Sequence, residues 1–395
     1  MKQRLLVVFG TRPEAIKMAP VVHELKRNPR FETLVCVTAQ HRQMLDQVLD
    51  FFEIWPDFDL DIMKPGQDLF DVTSNVMLGM RAVIRQCKPD YVFVHGDTTT
   101  CFAASLAAFY ERARVVHVEA GLRTGDFAAP FPEEMNRCLA ARMAHIHFAP
   151  TERAAQNLLA EGVSAAAVHV TGNTVIDALL YAREKVQREY GVDYWRHRFG
   201  DRLFRNLVND KLKRILITGH RRENFGDGLK QICETLVDLA RKNPDWLLVY
   251  PVHMNPNVSG PVNAILGAQH NIHLIEPLEY DAFVWMMERA DVIVTDSGGI
   301  QEEAPSLGKP VLVTREITER PEAVEAGTVK LVGTDPALLA GELARLLGDP
   351  DYYRSMSRNH NPYGDGEAAR RIQAVMADDL PVAQLAVTLA STAVA

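Results

Sequence analysis

Short apolar segments alternate with longer amphipathic segments along most of the chain, and this alternation constrains the fold more than any other feature. It is typical of βαβ units, in which helices cover a mainly parallel sheet. The pattern occurs in two successive series. We predict strands at 5–9, 33–38, 91–95, 115–119, 146–149 and 168–171 in the first series, and at 214–218, 246–252, 272–275, 292–295, 311–314 and 330–332 in the second.

Two series predict two domains, which also suits a chain of 395 residues at about 150 residues per domain. We predict an α/β fold with two Rossmann-like doubly wound domains, residues 1–173 and 174–362, and a cleft between them. Residues 181–213 are strongly charged and predict a helix followed by a solvated connection. The tail, 381–395, is small, apolar and uncharged, and it is too short to span a bilayer.

Composition excludes several functional classes. The net charge of −8 argues against nucleic acid or an anionic membrane as the main partner. No segment is long enough to cross a bilayer, and five scattered cysteines without a CxxC spacing suit a cytoplasmic protein. HExxH and GxGxxG are both missing, so we expect neither a metal nor a dinucleotide cofactor. The acidic stretch DFDLD, residues 57–61, follows no predicted strand and is interpreted as a polar loop.

Ligands of open parallel sheets bind beyond the carboxyl ends of the strands, so the residues that follow each strand are the candidates for function. After the first strand, Thr11 and Glu14 have capping-box spacing, which predicts the start of a helix. Arg12 and Lys17 would lie near the positive end of that helix dipole. A bound phosphate would offset the unfavourable interaction of these cations with the dipole.

Carboxylates follow further strands of the first domain. Asp97 in VHGDTTT and Glu119 in HVEAGLRTG come at predicted strand ends. Glu133 and Glu134 open a helix in PEEMNR, with Arg137 one turn later; for these two glutamates a favourable interaction with the helix dipole is a sufficient explanation. Several carboxylates that meet at one sheet edge would raise each other's pKa, which makes acid/base chemistry possible.

Cationic and small residues follow the strands of the second domain. His220, Arg221 and Arg222 crowd one loop, which indicates an anion site, and His253 follows the next strand. The stretch TDSGGIQEEAPSLGKP places Ser297, Gly298 and Gly299 where a backbone can approach a ligand closely, with Glu302 and Glu303 after them. Spacing alone leaves His253 and Arg320 open between ordinary surface roles and function.

The ordered motifs together resemble the bacterial non-hydrolysing UDP-N-acetylglucosamine 2-epimerases. The resemblance rests on FGTRPEAIKMAP, TAQHRQMLDQVL, VHGDTTT, HVEAGLRTG, PEEMNR, TGNTVIDAL, HRREN, PVHMNP, TDSGGIQEEAPSLGKPVLV and ERPEAVEAGT. It implies a GT-B architecture, a C-terminal helix over 363–380 that packs back on the first domain, and a homodimer. The implied reaction interconverts UDP-GlcNAc and UDP-ManNAc, for cell-surface polysaccharide precursors.

The implied reaction places chemical requirements on the side chains of the site. The hydrogen on sugar carbon 2 is not next to a carbonyl, so simple deprotonation is implausible, and an oxidative route would want a dinucleotide site. The family route is elimination of UDP to 2-acetamidoglucal and re-addition with protonation on the other face. That route needs acid/base groups on both faces and a firm hold on the pyrophosphate.

The resemblance implies roles for individual residues. Asp97, Glu119 and Glu133 are the candidate acid/base carboxylates, and which of them serves which face stays open. His220, with Arg12 and Lys17, would neutralise the phosphates as UDP leaves, and Arg137 would orient Glu133 or contact the sugar. Ser297, Gly298 and Gly299 would donate to phosphate, Glu303 would accept from ribose, Phe283 would line the uracil pocket, and Arg320 would contact the nucleotide, whereas Glu302 is interpreted as a helix-start residue only.

Some members of that family bind a second UDP-GlcNAc as an activator. The matching positions here are Gln40, Gln43, Arg221 and His253. This chain departs from the family pattern at Pro65-Gly66-Gln67, where related enzymes carry a basic side chain, so activation is less well supported than catalysis.

Three alternatives remain at the level of sequence. A GT-B glycosyltransferase would share the donor site but would not need three carboxylates in the first domain. A hydrolysing 2-epimerase would release UDP and free ManNAc, although HVEAGLRTG fits the non-hydrolysing branch better. A non-catalytic nucleotide-sugar sensor would not need intact carboxylates.

Overall fold

The computed structural model describes residues 2–39, 42–64, 66–357 and 361–379, and for Arg42 and Gln43 it describes the backbone only. The chain separates into two compact units. Unit 1 comprises the chain up to Thr174 together with the segment that begins at Gly366, and unit 2 comprises Val175–Asp365.

Unit 1 is built on a parallel sheet whose strand order, within the described residues, is β3-β2-β1-β4-β5-β6-β7. The strands are β1 Gln3–Phe9, β2 Phe31–Val37, β3 Phe58–Asp59, β4 Tyr91–His95, β5 Arg114–Val118, β6 Ala144–Ala149 and β7 Val168–Val170. The helices are α1 Arg12–Arg27, α2 Arg42–Phe51, α3 Leu69–Cys87, α4 Thr99–Tyr110, α5 Glu133–Met143 and α6 Glu152–Ala160. The central strands are almost wholly apolar because helices cover both faces of the sheet.

Unit 2 repeats this plan with a parallel sheet whose described strands run in the order β10-β9-β8-β11-β12-β13. The strands are β8 Lys213–Thr218, β9 Trp246–Pro251, β10 Ile272–Ile275, β11 Val292–Thr295, β12 Val311–Val313 and β13 Val329–Leu331. The helices are α7 Thr174–Glu189, α8 Val192–Leu207, α9 Asp227–Lys242, α10 Pro256–Leu266, α11 Tyr280–Arg289, α12 Gly298–Glu303, α13 Pro321–Glu325, α14 Pro336–Gly348 and α15 Pro350–Ser357. A core of apolar side chains from β8, β9, β11 and the helices fills its interior.

The last described helix, α16 Ala368–Asp378, belongs to unit 1 although it follows unit 2 in the chain. The hydroxyl of Tyr91 donates to Asp379 Oδ2 at 2.6 Å, and Arg114 Nη1 donates to the same hydroxyl oxygen at 2.8 Å. Arg30 Nη1 donates to the carbonyl of Ala377 at 3.2 Å. These contacts hold the C-terminal end of α16 against the unit 1 sheet, at the amino ends of its strands.

The predicted fold class and all twelve predicted strands are confirmed, with ends that differ by at most two residues. Two local interpretations are wrong. The stretch 57–61 contains the short edge strand β3, whose residues pair with Cys36 and Val37, and two residues are too few to give a periodic signal. The supposed solvated connection after residue 189 is the helical segment α8, which is broken at Gly200 (φ 75°) and buries Trp195 before the break and Leu203 after it.

Candidate active site

The turn after β1 is organised by the buried carboxylate of Glu14. Its Oε2 accepts hydrogen bonds from the amides of Gly10 and Thr11 at 3.0 and 2.8 Å, which completes the predicted capping box at the start of α1. Its Oε1 accepts from the hydroxyl of Thr98 at 2.6 Å. Burial raises the pKa of Glu14, and these hydrogen bonds oppose the rise. Glu14 therefore ties the turn after β1 to the turn after β4, next to Asp97.

Glu119 lies just beyond β5 with a left-handed backbone (φ 60°). Its Oε2 is bound by the ammonium group of buried Lys17 and accepts from Asn173 Nδ2 at 3.0 Å. A Cβ added to Gly96 would lie 3.5 Å from Glu119 Oε1. The Glu119 carboxylate thus sits close to the residue that precedes Asp97, as the strand-end argument predicts for neighbouring strands β4 and β5.

Asp97 and Glu134 share the guanidinium of Arg137. Arg137 Nη2 binds Asp97 Oδ2, and Arg137 Nη1 lies 3.0 Å from Glu134 Oε2. Glu134 is 1% exposed, and its Oε1 accepts from the amides of Thr124 and Gly125, both at 3.0 Å. The second helix-start glutamate is therefore a structural anchor for the loop before α5, and Arg137 links it to Asp97.

Glu133 differs from its neighbour. It opens α5 and is half-buried, and in the described part of the chain its side chain makes no hydrogen bond or ion pair. Arg12, the first residue of α1, is also half-buried. The carboxyl-end edge of the unit 1 sheet thus carries two carboxylates held by buried cations and a third, Glu133, at the start of a nearby helix.

Three buried histidines lie close to the carboxyl ends of three adjacent strands, one on each strand. His95, His117 and His147 lie on β4, β5 and β6. Burial lowers the pKa of His95 and of His147 to about 4, and that of His117 to about 3. His117 Nε2 lies 2.7 Å from the carbonyl oxygen of Gly96. All three rings are therefore uncharged near neutral pH.

These histidines predict a pH dependence of stability. Their folded-state pKa values lie below the ordinary value of 6.5, so between pH 6.5 and about 4 the unfolded chain binds more protons than the native one. The free energy of unfolding should therefore fall as the pH drops through that window, by up to about 1.4 kcal/mol per pH unit for each group. Urea unfolding at about pH 7.5 and about pH 5 measures the slope.

The variant His147→Gln should reduce that slope, because one buried proton-linked group is removed. The matched control is His197→Gln, whose side chain is exposed on α8 and which should leave the slope as it is. An unchanged slope in His147→Gln would contradict the assignment.

In unit 2 the loop after β8 is held by Asp296, which follows β11. Asp296 Oδ2 accepts from the amides of His220 and Arg221, both at 2.8 Å, and its Oδ1 lies 3.4 Å from His220 Nδ1. The ring of His253 stacks on that of His220 with centroids 5.5 Å apart. An adjoining cavity is lined by His220, Arg221 and Asp296 and by apolar side chains such as Ile217, with Tyr250 among them.

Two guanidinium groups meet at Gly298. A Cβ added there would lie 3.8 Å from Arg320 Nη2 and 3.9 Å from Arg221 Nη2. Arg221 Nε is buried and has no hydrogen-bond partner within the described residues. The positions of Arg221, Arg320 and the backbone of α12 make this the cationic part of the unit 2 site, which suits a phosphate group.

The two glutamates of α12 have different surroundings. Glu303 Oε1 accepts from the hydroxyl of Tyr280 at 2.9 Å, and its Oε2 lies 4.0 Å from a Cβ added to Gly299, which is also 3.9 Å from Ser297 Oγ. Glu302 is 1% exposed and binds the guanidinium of Arg320. Since α12 begins at Gly298, the interpretation of Glu302 as a helix-start residue is wrong.

The remaining predicted site residues are Phe283, His253, Gln40 and Gln43. Phe283 lies on α11 and is half-buried between fully buried neighbours. His253 is exposed, and its Nδ1 accepts from the amide of Asn255 at 3.1 Å. Gln40 and the side chain of Gln43 lie outside the described residues, as do Pro65 and the tail.

Sequence reasoning missed several residues that shape the two sites. Asn173 lies within TGNTVIDAL, but only the fold brings it to Glu119. Asp296 follows a predicted strand directly, just as Asp97 closely follows β4, so the strand-end argument could have found it. Glu134 carried no signal of its own, because helix-start glutamates are common.

No helix within the described ranges has the length and apolarity to cross a membrane. The same ranges contain no cluster of three or more histidine, cysteine, aspartate or glutamate side chains arranged to hold a metal ion.

Known proteins resemble this chain in sequence and in structure. A sequence model described as UDP-N-acetylglucosamine 2-epimerase matches residues 23–377. This chain belongs to the UDP-N-acetylglucosamine 2-epimerase family. It is 57% identical to the UDP-N-acetylglucosamine 2-epimerase of Escherichia coli K12 over 375 residues, which cover 93% of this chain and 97% of that protein. It is 56% identical to the Salmonella typhimurium enzyme over 375 residues, with the same coverage of 93% and 97%.

A solved structure of the same family supports the fold. The crystal structure of UDP-GlcNAc 2-epimerase from Neisseria meningitidis bound to UDP-GlcNAc superposes with a TM-score of 0.88 at 51% identity, covering 95% of this chain and 100% of that one. Family membership therefore rests on both sequence and three-dimensional structure over nearly the whole chain, and the GT-B-like α/β fold is shared.

Proposed function

We propose that this chain interconverts UDP-GlcNAc and UDP-ManNAc without net hydrolysis. Family membership supports the substrate, because a structural relative is described as bound to UDP-GlcNAc. The observation that carries the chemistry is the pair of carboxylates Asp97 and Glu119 at adjacent strand ends of unit 1, each bound to a buried cation.

The proposed route is elimination and re-addition. One carboxylate removes the proton from sugar carbon 2 while the bond between carbon 1 and the UDP oxygen breaks, and the electron pair of that bond leaves with UDP. UDP then adds back to the bound 2-acetamidoglucal as an acid delivers a proton to the other face. Asp97, Glu119 and Glu133 are the acid/base groups, and their assignment to the two faces stays open.

Unit 1 also supplies basic side chains. Lys17 binds Glu119, so its contribution to phosphate binding would come with a shift of that ion pair. Arg12 stands at the first position of α1, where a phosphate would interact favourably with both the guanidinium and the helix dipole. Arg137 keeps Asp97 in place from the start of α5.

Unit 2 would bind the nucleotide. His220, Arg320 and the backbone of Gly298 and Gly299 would contact the pyrophosphate, with Ser297 as a hydroxyl donor. Glu303, whose Oε2 lies 4.0 Å from a Cβ added to Gly299, would accept from the ribose hydroxyls, and half-buried Phe283 would face uracil. Preorganised donors of this kind stabilise the charge that develops on UDP.

Incubation with UDP-GlcNAc in heavy water, followed by proton NMR, tests the proposed reaction. We expect deuterium at carbon 2 and the appearance of UDP-ManNAc, because the abstracted proton exchanges with solvent before return. Net release of UDP with free ManNAc would show a hydrolysing enzyme instead. Binding without exchange would show a sensor, and exchange-free transfer to an added acceptor would show a glycosyltransferase.

We also propose a homodimer and an activator site, both on family resemblance. A second UDP-GlcNAc would bind through Arg221 and His253, which lie near His220 in unit 2, and through Gln40 and Gln43. A lag-free turnover of UDP-ManNAc alone, with velocity hyperbolic in UDP-GlcNAc, would show that no activator is used. Light scattering at working concentration should give twice the mass of one chain.

A further inference from the structure

Asp296 makes two different kinds of contact with its two carboxylate oxygens. The side chain is 1% exposed. Oδ2 accepts from the backbone amides of His220 and Arg221, both at 2.8 Å, and so fixes the loop after β8. Oδ1 is buried and has no hydrogen-bond partner within the described residues. A buried carboxylate oxygen without a donor is costly, so a donor close to Oδ1 is expected.

The imidazole of His220 is the group that faces this oxygen. Nδ1 lies 3.4 Å from Oδ1, slightly beyond a well-formed hydrogen bond. A small rotation of the ring would let Nδ1–H donate to Oδ1. The His220 side chain is 42% exposed, and Nδ1 is the ring nitrogen that faces the buried carboxylate.

Within the described residues, three charged or titratable groups face His220: Asp296 from the loop after β11, Arg221 on its own loop, and His253 from the loop after β9. Burial lowers the pKa of His220, and Arg221 and His253 lower it further. The carboxylate of Asp296 acts in the opposite direction. Of these three groups, Asp296 is therefore the one that favours the imidazolium form.

We propose that Asp296 is a positioning residue that holds His220 with its proton on Nδ1 and opposes the loss of its charged form, so that Nε2–H faces the UDP phosphate. This inference rests on the proposed epimerase reaction. His220 donates the Nε2 proton to the phosphate oxygen that receives the electron pair of the breaking carbon 1–oxygen bond. The same nitrogen takes that proton back when UDP re-adds. This is the arrangement of an aspartate–histidine pair, in which the carboxylate fixes the tautomer and the orientation of the imidazole.

The variant Asp296→Asn separates this role from simple loop anchoring. The amide oxygen of asparagine can still accept from the two backbone amides. Its NH₂ group would then oppose Nδ1, and two facing donors are unfavourable, so the neutral ring should change to the Nε2–H tautomer. The loop stays in place, but the ring has the wrong tautomer and no anionic partner.

We expect kcat of Asp296→Asn to fall roughly 100-fold or more, while UDP affinity by calorimetry changes less than about threefold. The imidazolium is the active form, so activity is lost as the pH rises through the pKa of His220. Without the carboxylate that pKa falls, and the alkaline limb of the kcat profile should move to lower pH.

The matched control is Asp335→Asn, at the start of α14. Asp335 also accepts from two backbone amides, of Ala337 and Leu338 at 2.8 and 3.1 Å, and asparagine caps helices equally well. This variant should retain the wild-type kcat and pH profile. An alkaline limb and kcat in Asp296→Asn that match those of Asp335→Asn would overturn the proposal.

Nitrogen-15 NMR of the wild-type protein gives a second reading that needs no Asp296 variant. The His220 resonances are assigned by their loss in His220→Gln. The neutral ring should carry its proton on Nδ1; a neutral Nε2–H tautomer would overturn the proposal even if Asp296→Asn did not fold. Failure of the wild type to exchange deuterium at carbon 2 would remove the proposed reaction instead, and the two failures are therefore distinguishable.

Discussion

Replacement of Asp97 by asparagine is expected to lower the rate of deuterium exchange at sugar carbon 2 by about 10²- to 10⁴-fold, the contribution typical of a general acid or base. Asparagine has the same shape and can keep a hydrogen bond from Arg137, so the end of β4 should stay in place. It cannot accept the proton. The unit 2 residues proposed to hold UDP are untouched, so UDP affinity should remain close to that of the wild type.

The matched control for Asp97→Asn is Asp68→Asn. Asp68 is the exposed N-cap of α3, where its side chain accepts from the amide of Asp71 at 2.9 Å, and asparagine serves equally well there. Both variants are compared by proton NMR in heavy water and by calorimetry with UDP. Wild-type exchange in Asp97→Asn would remove Asp97 from the mechanism and leave Glu119 and Glu133 as the acid/base candidates.

Truncation of Glu302 to alanine is expected to cost about 3–5 kcal/mol of the free energy of unfolding. Glu302 is 1% exposed, and its partner Arg320 has a side chain that is 16% exposed. Removal of the carboxylate leaves the guanidinium largely buried without that anion. Asn361 Nδ2 donates to the Glu302 carbonyl at 2.9 Å, a backbone contact that alanine retains, so the loss should come from the side chain.

The matched control for Glu302→Ala is Glu234→Ala, which breaks an ion pair on the surface of the same unit. Glu234 lies 3.8 Å from Lys230, and the two side chains are 57% and 59% exposed. An exposed pair of this kind contributes about 1 kcal/mol or less. Urea unfolding of both variants decides the matter: equal losses would show that the Glu302–Arg320 pair adds nothing beyond a surface contact.

The Glu302→Ala substitution should also affect UDP binding. Arg320 approaches Gly298 together with Arg221, and the Glu302 carboxylate helps to hold Arg320 in that position. We expect a weaker affinity for UDP in this variant, whereas Glu234→Ala should bind UDP as the wild type does.

The sequence by itself determined the fold class and the edge of each sheet where the candidate site residues lie. Alternating apolar and amphipathic segments specify βαβ units, because strands buried on both faces must be apolar throughout. The capping box at Thr11 and Glu14 is local, so its spacing was sufficient to predict the start of α1. The carboxyl ends of parallel strands share one edge, and this rule placed Asp97, Glu119 and His220 among the candidates for function.

Pairing between those residues was decided only by the tertiary structure. Lys17 and Glu119 are separated by 102 residues, and His220 and Asp296 by 76, so no local spacing reports that they meet. Glu133 and Glu134 are adjacent and chemically identical in sequence, yet a helix turns them toward different surroundings, and burial against Arg137 makes Glu134 the anchor. Glu302 and Glu303 diverge for the same reason. Charge and burial depend on the neighbours that folding brings together, and those neighbours are distant in the chain.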